Sequence, residues 1–150
     1  MTAARTAAGT AWRDQADAAA RHAGRLVDGL TVRAGAWPAV TGDPWLREHL
    51  AALLLALVTG TAELCPHLTA APAVAHAALW APGRLVCTGC LPALRPDPAE
   101  DHTCDRCRRP ADAIGSAALH AGPLVIVFGL CPPCARHLHT PEGTAKDHAA

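Results

Sequence analysis

Six of the seven cysteines stand in three Cys-x-x-Cys pairs: Cys87/Cys90, Cys104/Cys107 and Cys131/Cys134. A gap of two residues puts two sulfurs on one tight turn, where both can face a single tetrahedral ion. One such pair is weak evidence, because chance, redox and metal readings compete for it. Three within 48 residues are strong evidence. They supply six ligands, which is one and a half tetrahedral sites. The seventh cysteine, Cys65, lies two residues before His67, and this Cys-Pro-His step brings the count to eight. The expected metal ligands are therefore Cys65, His67, Cys87, Cys90, Cys104, Cys107, Cys131 and Cys134, holding two zinc ions per chain.

Spacing supports this count. Nineteen residues separate His67 from Cys87, and 23 separate Cys107 from Cys131. The segments leading into the second pairs are alike, "AALWAPGRLV" before Cys87 and "AALHAGPLVIVFGL" before Cys131. The unit reads as a degenerate repeat of ligand pair, β-hairpin, Cys-x-x-Cys and short helix. The repeat favours sequential pairing, with Cys65, His67, Cys87 and Cys90 in one site and the last four cysteines in the other. Interleaved and nested pairings are the alternatives. His76, His102, His120, His137 and His139 compete with His67 as eighth ligand; His67 is preferred because it occupies the place where the repeat demands one.

This order of parts resembles treble-clef and zinc-ribbon modules. In a treble clef a knuckle gives two ligands, a hairpin follows, and the first turn of a helix gives the other two. The resemblance covers residues 104–139, with "CARHLHT" as the helix, and is looser over 65–95, where "CLPALRP" leaves room for barely one turn.

Upstream the texture is helical. Trp12, Ala16, Ala19, Ala23, Leu26 and Leu30 recur at spacings of three and four, which predicts an amphipathic helix over 10–34 with Thr10 as N-cap and Gly35 as stop. The stripe reads as core packing, with a dimer seam as the alternative. Asp43-Pro44 opens a second helix over 45–58, closed by Thr59-Gly60. Its run Leu50–Val58 is nine residues long, against the ~20 needed to span a bilayer, so a buried helix is expected. Two helices joined by about ten residues suggest a helical hairpin. The fold class is then α+β: an N-terminal helical hairpin (1–62), a tandem zinc-binding region (63–140, as 63–98 and 102–140) and a disordered tail (141–150). The clearest β-hairpin is 119–130, turning at Ala121-Gly122-Pro123.

Charge is balanced throughout, with six residues of each sign in 1–64 and seven of each in 65–150. No basic arm points to nucleic acid. Arg106, Arg108, Arg109 and Arg136 form the one cationic cluster, and it must first offset the charge of a Cys₄ site. The polar N-terminus lacks a secretory signal's apolar core, so a cytoplasmic protein is expected, where paired cysteines are more often ligands than disulfides. Iron–sulfur is the runner-up cofactor.

Enzyme signatures are missing: there is no His-x-Glu, no His-Glu-x-x-His and no Asn at all. Glu63, near Cys65, is singled out as a possible general base, and a solvated helix end explains it equally well. The sequence thus reads as a non-enzymatic zinc protein serving as an interaction or regulatory module. A protein partner is expected, with no membrane contact and a homodimer through the N-terminal helices as a possibility. A nucleic-acid-binding zinc protein and a redox-responsive zinc–thiolate switch are the alternatives.

Overall fold

The computed structural model describes residues 2–38 and 42–139; the expected tail at 141–150 lies outside them. Helix α1 (Thr2–Ala34) is followed by β1 (Trp37–Pro38), α2 (Pro44–Thr59), β2 (Glu63–Leu64), β3 (Ala75–Ala78) and β4 (Arg84–Cys87). A 3₁₀ segment (Thr88–Leu94) and a short 3₁₀ turn (Glu100–His102) lead to β5 (Gly115–Ala121), β6 (Leu124–Leu130) and α3 (Pro132–His139). The class is α+β.

The strands form one mixed sheet in the order β1-β5-β6-β3-β4-β2. Its frame is two antiparallel hairpins, β3–β4 and β5–β6, joined by parallel pairing of β3 with β6 from Ala75↔Leu124 to Ala78↔Val127. The two repeats are therefore fused into one sheet. At the 121–124 turn Gly122 has φ +56, a conformation that tight hairpins with right-handed strand twist require and that glycine adopts without a Cβ penalty. β1, inside a segment expected to be a loop, adds a parallel edge on β5.

Alternation along the strands sends successive side chains to opposite faces. Ala118 and Val125 meet Ala19, Ala23 and Val27 of α1. Ala117, Leu119, Ile126 and Phe128 join Leu46 and Leu53 of α2 in the main core. The sheet thus lies between the helices, rather than beside a pair packed on each other. Both faces of β6 are covered, which explains its unbroken apolar run "LVIVFGL".

α1 begins eight residues before the expected Thr10, within an Ala-rich stretch of high helix propensity, and Thr10 sits inside it. Thirty-three helical residues span ~50 Å, while seven strand residues span ~23 Å. The helix outreaches the sheet, so Ala19 and Ala23 are buried while Trp12 stays 56% exposed. α2 departs further from expectation. Its apolar run is not buried: Leu46 and Leu53 face the core, but Leu54, Leu55 and Val58 are 50%, 63% and 86% exposed. No helix among the described residues is long and apolar enough to cross a membrane.

Candidate metal centres

The second cluster is built on a knuckle, a hairpin and a helix start. At the knuckle, the Arg108 N–H donates to the Cys104 carbonyl (2.8 Å) and the Cys104 N–H to the Arg109 carbonyl (3.0 Å). Arg108 takes the left-handed conformation that closes the turn (φ +54), uncommon for a residue with a side chain. Ion pairs to Glu100 (2.6 Å) and Asp105 (3.4 Å) hold it there. β6 ends at Leu130, and α3 begins immediately after Cys131. This delivers Cys131 and Cys134 at a helix N-terminus, whose partial positive charge favours thiolates. Ala135 and Leu138 dock that helix into the core.

The first cluster repeats the plan with smaller parts. The Leu68 N–H donates to the Cys65 carbonyl (3.0 Å), closing the Cys-Pro-His turn, and the Cys65 N–H donates to the Leu85 carbonyl on β4 (2.9 Å). Cys87 ends β4, and Cys90 lies on the 3₁₀ segment, which carries Pro92 and stops at buried Leu94. Trp80 Nε1–H donates to the Leu94 carbonyl at 2.7 Å and ties this segment to the hairpin.

The folded chain gathers Cys65, His67, Cys87 and Cys90 into one group and Cys104, Cys107, Cys131 and Cys134 into another. Within each group the ligand atoms all lie within 4.8 Å of one another. The pairing is sequential. His67 Nδ1 lies 3.2 Å from Cys90 Sγ, and Cys107 Sγ lies 3.9 Å from Cys131 Sγ. A tetrahedron with Zn–S bonds of ~2.3 Å has sulfur–sulfur edges of ~3.8 Å, so four donors at this spacing fit one tetrahedral ion. A polynuclear iron–sulfur cluster binds its thiolates to separate irons and needs a wider cage.

Electrostatics agree with a cation at each centre. Desolvation pushes the Cys65 thiol up, but N–H groups of Cys87, His67 and Leu68 and the Cys87 side chain outweigh it and bring Cys65 to about 7. Cys104 is likewise brought to about 7, by N–H groups of Cys107, Cys131 and Arg106 acting against desolvation. Cys90 moves the other way, pushed up to about 11 by desolvation and then by its neighbours Cys87 and Cys65. Cys134 is raised for the same reasons, by desolvation and by the three cysteines beside it. Each centre pairs a readily ionised thiol, Cys65 or Cys104, with one that resists ionising next to it, Cys90 or Cys134, and a divalent cation relieves that repulsion.

Two of the five competing histidines make other contacts, and the side chain of His139 lies outside the described residues. His76 is buried on β3, its Nε2 3.0 Å from Thr88 Oγ1, and burial followed by the charge of His22 lowers its pKa. His120 Nε2 lies 3.4 Å from where a Cβ on Gly24 would sit, against α1. His102 and His137 are exposed, and neither belongs to a ligand group.

Two of the knuckle arginines, Arg106 and Arg108, are engaged internally. Arg106 Nη1 donates to Asp43 Oδ2 at 3.0 Å, and its guanidinium lies 5.6 Å from the Trp45 ring centre. Asp43 Oδ1 meanwhile accepts from the Trp45 and Leu46 N–H groups (2.9 and 3.3 Å), capping α2. One carboxylate thus starts α2 and fastens it to the second centre. Asp43→Ala is expected to lower stability by about 2 kcal/mol, combining a lost cap with a partly buried ion pair. Chemical denaturation of the metal-loaded protein checks this.

Glu63, singled out as a possible base, is paired with Arg84 at 3.0 Å on the surface. The acid that sequence reasoning overlooked is Asp105, between the two knuckle cysteines. It is buried; its Oδ2 accepts from the Gly129 N–H (2.6 Å), and its own N–H donates to the Gly129 carbonyl (2.9 Å). Burial pushes its carboxyl up to about 6 against the pull of the Gly129 N–H and Arg108. A Cβ at Gly129 would meet Ile114 Cγ2 at 2.6 Å, so the glycine lets Ile114 pack close against β6 beside Asp105. The only sequence signal was a glycine inside a β-rich run, which often marks close backbone approach.

No protein-family model, curated protein or solved structure matches this chain. Its class is defined by its own geometry: an α+β protein carrying two four-ligand clusters that could hold metal ions.

Proposed function

We propose that the chain is a non-enzymatic zinc protein, with two structural zinc ions holding the scaffold of an interaction or regulatory module. The observation that carries this reading is the closure of both clusters. Each has four protein donors, the number a structural zinc takes, whereas catalytic zinc keeps a position open for water. The acids nearest the clusters support it, since Glu63 and Asp105 are committed to Arg84 and to the Gly129 N–H. Pairing of Arg106 and Arg108 with carboxylates weighs against a phosphate-binding role.

Elemental analysis of protein purified without added metal tests the proposal and reads zinc and iron together. Two zinc per chain are expected, falling to one in Cys65→Ser and in His67→Ala. One zinc in the wild type, unchanged by either substitution, refutes the two-site reading.

One observation favours a redox-responsive variant of the same reading. The first cluster is the more open overall, with Cys65, Cys87 and Cys90 only partly buried and His67 exposed, whereas in the second Cys104, Cys131 and Cys134 are buried and Cys107 alone is exposed. A peroxide would take two electrons from two thiolates, form a disulfide and become water, and the zinc would leave. With a colorimetric zinc chelator present, peroxide is expected to release the first equivalent about tenfold faster than the second. The fast phase should vanish in Cys65→Ser; two equal phases would oppose the redox variant.

A further inference from the structure

An exposed helix that is apolar on its outer face is unusual, because a helix apolar all round is ordinarily buried. The outward side of α2 presents Ala51, Leu54, Leu55 and Val58 at the three- and four-residue spacing of a packing stripe. The charged residues Arg47 and Glu48 stand only at its N-terminal end. Leu64, just past its C-terminus, is 51% exposed as well. Single exposed leucines need no explanation, but a continuous stripe marks a contact surface.

We propose that this face of α2 pairs with the same face of a second copy of the chain, antiparallel about a two-fold axis between Leu54 and Leu55. The proposal deepens the interaction reading above and rests on it, naming the surface and the partner. Two features of the stripe select this occupant. The first is size. About that axis Ala51 lies opposite Val58, and Leu54 opposite Leu55, so the smallest residue meets the most exposed one and the leucines meet at the centre. A two-fold contact must be self-complementary in this way.

The second feature is charge. Arg47 makes no salt bridge among the described residues. The same axis brings it to the C-terminal end of the other α2, where Ala62 is followed by Glu63, whose Oε2 accepts from Arg84 of its own chain but whose side chain is still 72% exposed. Antiparallel pairing also sets each helix dipole against the opposite end of its partner. A parallel arrangement would instead stack Arg47 on Arg47 and Glu48 on Glu48, which like-charge repulsion opposes.

Sedimentation velocity on the full-length, metal-loaded chain over a concentration series tests the pairing, with metal content and circular dichroism measured on each variant. The wild type is expected to form a dimer that dissociates in the micromolar range. Leu55→Glu should weaken it at least about 100-fold, while still binding two metals and keeping its helix content. Arg47→Glu or Glu63→Arg alone should weaken it about fivefold, and the double exchange should restore it. A wild type that stays monomeric with two metals bound overturns the pairing and leaves the metal-scaffold reading standing. A chain lacking two metals overturns that scaffold reading instead. A dimer untouched by Leu55→Glu places the contact elsewhere and overturns the surface, and failure of the double exchange overturns the antiparallel register.

Discussion

Cys134→Ser is expected to cost the chain its second metal and its cooperative unfolding transition, while Cys65→Ser loses one metal and still melts as a folded protein. The difference follows from where each cluster sits. Cys104, Cys131 and Cys134 belong to the main core, in the same packed group as Phe128, Leu130 and Leu138. Cys65 and Cys90 only border a satellite group around Ala78, Val86 and Leu94. Structural zinc contributes ~10–16 kcal/mol of apparent binding energy, as large as the 5–15 kcal/mol net stability of a typical domain. Removing a donor from the buried site also leaves three crowded thiols and a buried hydroxyl where an ion sat. At the open site water can solvate what remains. Thermal melts followed by circular dichroism, with zinc measured on the same samples, separate the variants. Equal loss of the melting transition in both would show that the clusters are energetically equivalent and would refute this ranking.

The same contrast explains what could be read from the residues alone. Ligand pairs are local, so the Cys-x-x-Cys spacings and the repeat that includes Cys65 and His67 were legible, as was the order of knuckle, hairpin and helix over 104–139. The Asp43-Pro44 start and Gly60 stop of α2 were legible for the same reason: capping is chemistry within one turn. Fusion of the hairpins into one sheet was not. Parallel pairing of β3 with β6 is set by backbone contacts across 49 residues, and no residue type marks it. Nor did a run such as "LAALLLALV" reveal that only part of it would face the core, because composition carries no face. The α1 stripe was right at Ala19 and Ala23 and wrong at Trp12, since sequence periodicity does not say where the opposing sheet ends.

The second large effect belongs to a residue that binds no metal. Asp105→Ala is expected to lower stability by about 3 kcal/mol, because hydrogen bonds to a charged group are worth ~1.5–3 kcal/mol and the Gly129 N–H would be left buried without an acceptor. Arg108 would keep Glu100 but lose the second brace that holds it at φ +54, so the turn presenting Cys104 and Cys107 would loosen. Groups that orient a metal's ligands from behind typically matter 10–100-fold in affinity, and the second site's resistance to a competing chelator should fall by about that factor. Asp105→Asn separates the two causes. Its amide oxygen can still accept from Gly129 N–H while the charge facing Arg108 is gone, so it should recover most of the stability lost in Asp105→Ala. If Asp105→Asn is as damaging as Asp105→Ala, the ion pair with Arg108 holds the knuckle, and the tie to β6 is secondary. If Asp105→Ala matches the wild type in both denaturation and chelator competition, the knuckle is held by its metal alone, and the bracing role derived from the Gly129 contact is wrong.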